Sequence, residues 1–256
     1  MNMDSPIIPV VVVVLILLSY RLVHRIFVRR LAQDDGLSFR PLPGFDVLKT
    51  QIGRAIESGS QMHITLGQAS LHGPASPTSV AAINMLRHLA EEGCMNDAPP
   101  LVTVGEATVL LSAQDKLRHS FEAVNRPEGY KPWLVHFVAH QTEPYAYAAG
   151  VSGIIHQDKI TGNVMMGQFG TELMLIAEAA QRRDMSQVIG TDDPTAMALA
   201  TAVTPNSLIG EELFVAAAYL DKTPEQIANL RIQDIVRLLI MLGILVWAVM
   251  QFVTNL

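Results

Sequence analysis

The sequence predicts an α/β domain, doubly wound on a mostly parallel five-stranded sheet, held between two membrane-spanning helices. Three observations predict it. Short β-type runs, most ending at or beside a glycine, alternate with helical stretches of 11 to 18 residues, which is the rhythm of βαβ units. These runs lack strict polar alternation, as strands covered on both faces do. Long apolar segments lie at both ends of a chain that is 50% hydrophobic with a mean hydropathy of +0.29.

The elements follow in order. Residues 31–60 read as a linker, with Pro41, Pro43 and Gly44 before a short helix. "HITLG" (63–67) is the first strand. "SPTSVAAINMLRHLAEEG" (76–93) is a helix with Ser76 as N-cap and Pro77 in its first turn. Val80, Ile83, Leu86 and Leu89 recur at threes and give that helix one buried face. "PLVTVG" (100–105) is the second strand, and 107–124 is a helix with Leu110, Leu117, Phe121 and Val124 on one side. "WLVHFVA" (133–139) precedes a helix over 143–157 that Gly150 and Gly153 weaken. "GNVMMGQ" (162–168) precedes a helix over 171–183, and "SQVIGT" (186–191) precedes one over 193–203 with Asp193 as cap and Pro194 at its start. Residues 207–220 read as a further helix, whose Ala216, Ala217 and Ala218 suit a core position or self-association. "TPEQIANLRIQD" (223–234) opens with a capping-box pattern, Thr223 and Gln226, and runs on into the last apolar segment. The result is a Rossmann-like domain over 61–230.

The apolar ends, Ile7 to Val23 and Ile235 to Val253, are each long enough to cross a bilayer, which takes about 17–25 residues. "MNMDSP" before the first is acidic and no small-residue cleavage site follows, so the segment reads as a retained anchor. Arg21, Arg25, Arg29 and Arg30 follow the first span, while Arg231 and Arg237 lie at the N-terminal side of the second. The positive-inside rule places the central domain in the cytoplasm and both termini outside the cell membrane. A single cysteine, Cys94, allows no internal disulfide, in keeping with a reducing compartment. Residues 34–230 carry 12 Lys+Arg against 22 Asp+Glu, a net of −10. That balance argues against nucleic acid, which needs a basic footprint. It leaves the basic collar at 21–30 as the contact zone with lipid.

The ordered segments "SGSQMHITLGQASLHG", "VHFVAHQTEPYAYAAGV", "NVMMGQFGTELMLIAEAAQRR" and "IGEELFVAAAYL" lie between these anchors. In that arrangement the chain resembles an uncharacterised family of two-span bacterial membrane proteins of Chloroflexi type, a domain of unknown function. The resemblance covers about residues 50–245 and is most specific at GQFGTE and IGEELF. It supports the architecture and implies no activity, ligand or catalytic residue.

Ligands of open α/β sheets sit beyond the carboxyl ends of the strands. The candidate ligand-binding residues there are Gly67, Ser70, Ser76, Glu106, His140, Gln168, Gly170, Thr171, Glu172 and Thr191. The loop "GQASLHGPASPTS" could offer N–H groups and Ser70 and Ser76 hydroxyls to an anion, but it has neither a GxGxxG turn nor the lysine of a P-loop. "GQFGTE" has the outline of a nucleophile elbow with no Ser or Cys at its centre, so Thr171 reads as a helix cap and Glu172 as a first-turn carboxylate. Glu106, Glu143, Glu172, Asp192, Asp193 and His140 form an acidic crown that lacks metal-ligand spacing. His63 and His136 read as strand residues, and Cys94, Met165 and Met166 as packing. No catalytic residue and no cofactor is indicated. The sequence therefore favours a membrane-anchored scaffold or small-ligand sensor, within a homo-oligomer or larger membrane complex. The alternative is a membrane-bound enzyme acting on a nucleotide-like ligand. A transporter would need many assembled copies, since the spans offer no polar intramembrane face.

Overall fold

The structure, a computed structural model, describes residues 20–21, 24–25, 28, 42–157, 159–221 and 224–254. The chain divides into two compact units, one of them Arg40–Asp221. This unit opens with α1 (Pro43–Ser58), longer than the short helix expected after the linker. Pro43 starts it, and Gly59 ends it at φ 62° by donating its N–H to the Ala55 and Ile56 carbonyls. Leu42, Phe45, Leu48, Ile52 and Ala55 bury it in the core.

Then come β1 (Gln61–Gly67), α2 (Ser76–Met95), β2 (Leu101–Val104), α3 (Ala107–Ala123), β3 (Val135–Phe137), α4 (Pro144–Ile155), β4 (Ile160–Gln168), α5 (Leu173–Gln181), β5 (Ser186–Thr191), α6 (Pro194–Val203), β6 (Ser207–Ile209) and α7 (Glu211–Asp221). All pairings are parallel, in the order β3-β2-β1-β4-β5-β6. One core cluster joins α1, α2, α3 and α7 to one face of the sheet. A second joins α4, α5 and α6 to the other. The crossover from β3 to β4 therefore changes sides, and β1 and β4 lie adjacent at the centre.

The sheet has six strands, not five. Ser207–Ile209, read from sequence as the start of a helix, pairs with β5 as Ile189↔Ser207, Gly190↔Leu208 and Thr191↔Ile209. Gly210, at φ 55°, turns the chain into α7, and Glu212 Oε2 accepts the Ile209 N–H at 3.2 Å. Three residues are too few to display a period, so the apolar run of α7 absorbed them. Ala216 is buried, and the side chains of Ala217 and Ala218 lie outside the described residues.

Three further expectations change. Ala75, not Ser76, is the residue before α2, and no side chain caps that helix. Val80 is exposed, because the buried face of α2 is set by Ala82, Ile83, Met85, Leu86, Leu89 and Ala90. Thr171 caps nothing; its Oγ1 lies 3.3 Å from the Tyr145 hydroxyl, and Glu172 is the residue before α5.

The other unit contains α8 (Pro224–Thr254), one long helix that joins the 224–234 segment to the last apolar stretch. Within it, Ile227–Gln251 is long and apolar enough to cross a membrane, with mean hydropathy 2.0. Large apolar side chains from Ile235 to Met250 are exposed. The first apolar segment lies outside the described residues except for Tyr20 and Arg21, which are helical. The Tyr20 hydroxyl donates to Asn229 Oδ1 at 3.1 Å.

Candidate functional site

The two central strands end in the same pair of residues, Gly67-Gln68 on β1 and Gly167-Gln168 on β4. From there the chain leaves in opposite directions, toward β2 after β1 and toward β5 after β4. Ligands of open α/β sheets bind where such paths diverge.

The glycines bring the two strand ends together. Gly67 has φ 71°, and a Cβ on it would stand 2.5 Å from the Gln168 carbonyl oxygen. Gly167 has φ 143°, and a Cβ there would meet the Leu66 carbonyl oxygen. Only glycine permits such close approach in this conformation. The Gln68 N–H donates to the Gln168 carbonyl at 3.3 Å, and the Gly105 N–H to the Gly67 carbonyl at 3.0 Å. Gly105 also makes room for a side chain, because a Cβ on it would lie 2.7 Å from Gln68 Cγ.

Above this junction lies a cleft of about 260 Å³. Gln68 and Ala69 wall it from the β1 side, Gln141 from the loop before α4, Pro144 from the start of α4, and Gln168, Phe169, Gly170 and Glu172 from the β4 turn, with Asp193 at the rim. Gln68 is 6% exposed, and its Nε2 has no hydrogen-bond partner. Glu172 is 4% exposed, and its Oε1 accepts the Gly170 N–H at 2.7 Å. Among the described residues no lysine or arginine lines the cleft. Beneath it the buried Tyr147 hydroxyl lies 2.5 Å from Thr65 Oγ1 and donates to the Thr103 carbonyl at 3.4 Å. Burial pushes that phenol up to about 12, hydrogen bonds oppose the rise, and the Glu172 charge adds to it.

Two of the remaining acids cap their own helices. Glu106 Oε2 accepts from the Thr108 N–H at 2.6 Å, the Val109 N–H at 3.3 Å and the Thr108 hydroxyl. Partial burial works to raise its carboxyl, but these bonds outweigh burial and hold it below its usual range. Asp193 Oδ1 accepts the Ala196 N–H at 2.9 Å and caps α6 as the sequence predicts. Asp192 accepts the buried Thr78 hydroxyl. Among the described residues no group of three or more His, Cys, Asp or Glu could hold a metal ion.

Of the ten residues named from sequence, Gln168, Gly170 and Glu172 meet in the cleft. Gly67 builds its floor through the backbone contact. Ser70 Oγ accepts the His72 N–H at 3.0 Å, and Ser76 begins α2. Glu106 caps α3, and the exposed His140 has its Nδ1 3.2 Å from Thr142 Oγ1. Thr171 is exposed beside Tyr145, and Thr191 is buried at the end of β5 with Oγ1 accepting the Asp193 N–H. Sequence reasoning missed Gln68 and Gln141. The first was legible, since it stands after a strand-ending glycine as Gln168 does. The second lies in an irregular loop that nothing local directs toward β1.

A model described as Domain of unknown function (DUF6754) matches residues 5–256. The chain belongs to this family. No curated protein and no solved structure matches it.

Proposed function

We propose that this protein is a membrane-anchored, Rossmann-like module that senses a small ligand in the cleft between β1 and β4. It would do so within a homo-oligomer or larger membrane complex. The observation that carries the reading is the cleft at the diverging strands, with the buried Gln68 in its wall and Gln68 Nε2 without a partner among the described residues. A buried, unpaired donor is costly, and a bound acceptor removes the cost. The apolar α8 supports attachment to a membrane. The two-span arrangement, with the acidic α/β unit in the cytoplasm, rests on the placement of the arginines. Tyr20, Arg21, His24, Arg25 and Asn229 line a cavity of about 620 Å³. This group supports contact with anionic lipid headgroups.

Native mass spectrometry of the full chain in detergent tests the reading by recording oligomer mass and any retained small molecule. A stoichiometric adduct that Gly170→Val removes is the expected result. A Cβ at Gly170 would lie 2.7 Å from Glu172 Oε2, so the substitution displaces the carboxylate while sparing the β1–β4 junction. A discrete oligomer that carries no adduct would leave a scaffold and reject the sensor.

A further inference from the structure

Resting on that reading of the cleft, we infer that its ligand is a hydroxyl-rich, phosphate-free small molecule of single-ring size, such as a sugar or cyclic polyol. Sheets of this strand order commonly hold phosphates on helix N-termini at the same edge, using the free N–H groups there. Here the chain's own carboxylates take N–H groups at three of those positions, while α2 and α4 carry no side-chain cap. Glu172 takes the Gly170 N–H in the turn before α5, Asp193 takes the Ala196 N–H of α6, and Glu106 takes the Thr108 and Val109 N–H groups of α3. A phosphate entering the cleft would meet Glu172 and Asp193, with no lysine or arginine among the described lining residues to offset them.

The remaining groups ask for a ligand that both donates and accepts. Glu172, buried to 4% exposure, is an acceptor. Gln68 Nε2, buried and without a partner among the described residues, is a donor. Gln141 and Gln168 add amides that do both. A hydroxyl satisfies each of these, and it answers the Gln68 amide whichever way that group is turned. An ammonium would satisfy Glu172 but leave Gln68 Nε2 unpaired. At about 260 Å³ the cleft lies below the roughly 300–1,000 Å³ of most small-molecule sites, which suits one ring and not a nucleotide.

The test is isothermal titration of the full chain in detergent with D-ribose, D-glucose, myo-inositol, inorganic phosphate and AMP. One or more of the three polyols should bind one to one, while phosphate and AMP should not. Gln68→Leu and Glu172→Gln should each weaken that binding by about tenfold or more, the loss of one good buried hydrogen bond. Gln68→Leu should also raise the melting temperature of the ligand-free protein, because it removes a buried donor that has no partner. A merely structural Gln68 would lower it. Gln141→Ala, at an exposed wall of the cleft, is the second variant should Gln68→Leu not fold. AMP or phosphate binding that Gln68→Leu abolishes would overturn the polyol inference and keep the cleft. Polyol binding unchanged in Gln68→Leu, Gln141→Ala and Gly170→Val would overturn the cleft itself. Failure of all five probes would overturn the inference, with the native mass spectrum then deciding the cleft separately.

Discussion

The two faces of the sheet are built from the same strands and do different work. The face toward α1, α2, α3 and α7 is apolar throughout, with Met62, Ile64 and Leu66 from β1 beside Val102, Val104, Val164, Met166, Val188 and Leu208. The face toward α4, α5 and α6 interleaves Leu101, Met165 and Ile189 with buried His63, Thr65, Thr103, Asn163 and Gln187. There His63 Nδ1 lies 2.7 Å from Asn163 Oδ1 and Nε2 lies 3.0 Å from Thr103 Oγ1. Gln187 Nε2 donates to the Ala177 carbonyl at 3.0 Å. Hydrophobic burial is non-directional and stabilises many arrangements. Buried hydrogen bonds require one geometry, since an unmade bond costs more than a made bond contributes. The first face supplies bulk stability. The second orients Tyr147 through Thr65 and Thr103, directly below the cleft.

The comparison can be broken first at the point where both faces depend on it. Gly67→Ala forces a Cβ against the Gln168 carbonyl at positive φ, and should cost more than about 4 kcal/mol or prevent folding. Chemical denaturation of the full chain in detergent measures it, and a wild-type midpoint would refute the close-approach account. Ile64→Ala, on the apolar face, should cost about 3–4 kcal/mol at every pH from 5 to 8, because it removes packing and no titrating group.

The polar face should respond to pH instead. Burial is the main cause that pushes His63 down to about 4 from its ordinary 6.5; the Asn163 hydrogen bond opposes it and His136 adds to it. Above about 6.5 the ring is neutral in both states. As pH falls from 6.5 toward 4 the unfolded chain takes up a proton that the folded chain refuses, so stability drops by up to roughly 3 kcal/mol. His63→Gln should flatten that part of the profile, and an unchanged slope in the variant would remove His63 as its source. Smallest is Glu106→Ala, which removes the cap of α3 at a cost of about 1 kcal/mol at neutral pH. The Glu106 carboxyl is held low in the fold, so its contribution is present above the ordinary carboxylate range and fades as pH falls through it. A thermal midpoint equal to wild type at pH 7 would show the cap to be dispensable.

Most of the fold was legible along the chain. β5 has the bounds read for it, and β1, β2 and β4 fall within a few residues of theirs, because each is an apolar run ended by glycine or a turn. β6 was hidden by its length. The buried α1 was underread because the prolines before it suggested a linker, while Phe45, Leu48 and Ile52 recur at helical spacing. The cleft was half legible. Gln168, Gly170 and Glu172 follow one another and belong to one turn, whereas Gln68 and Gln141 reach the same place from loops about 100 and 30 residues earlier in the chain.

By itself the sequence determined the alternation of strand and helix, the apolar helix at the C-terminal end and the carboxylate cap at Asp193. These follow from local periodicity and from side chains bonding within a few residues. Only the tertiary structure decided that β1 and β4 are neighbours, that Gly67 and Gly167 let their backbones touch, and that Gln68 and Glu172 line one cleft. Those facts depend on strand order, which non-local pairing sets and no local pattern records.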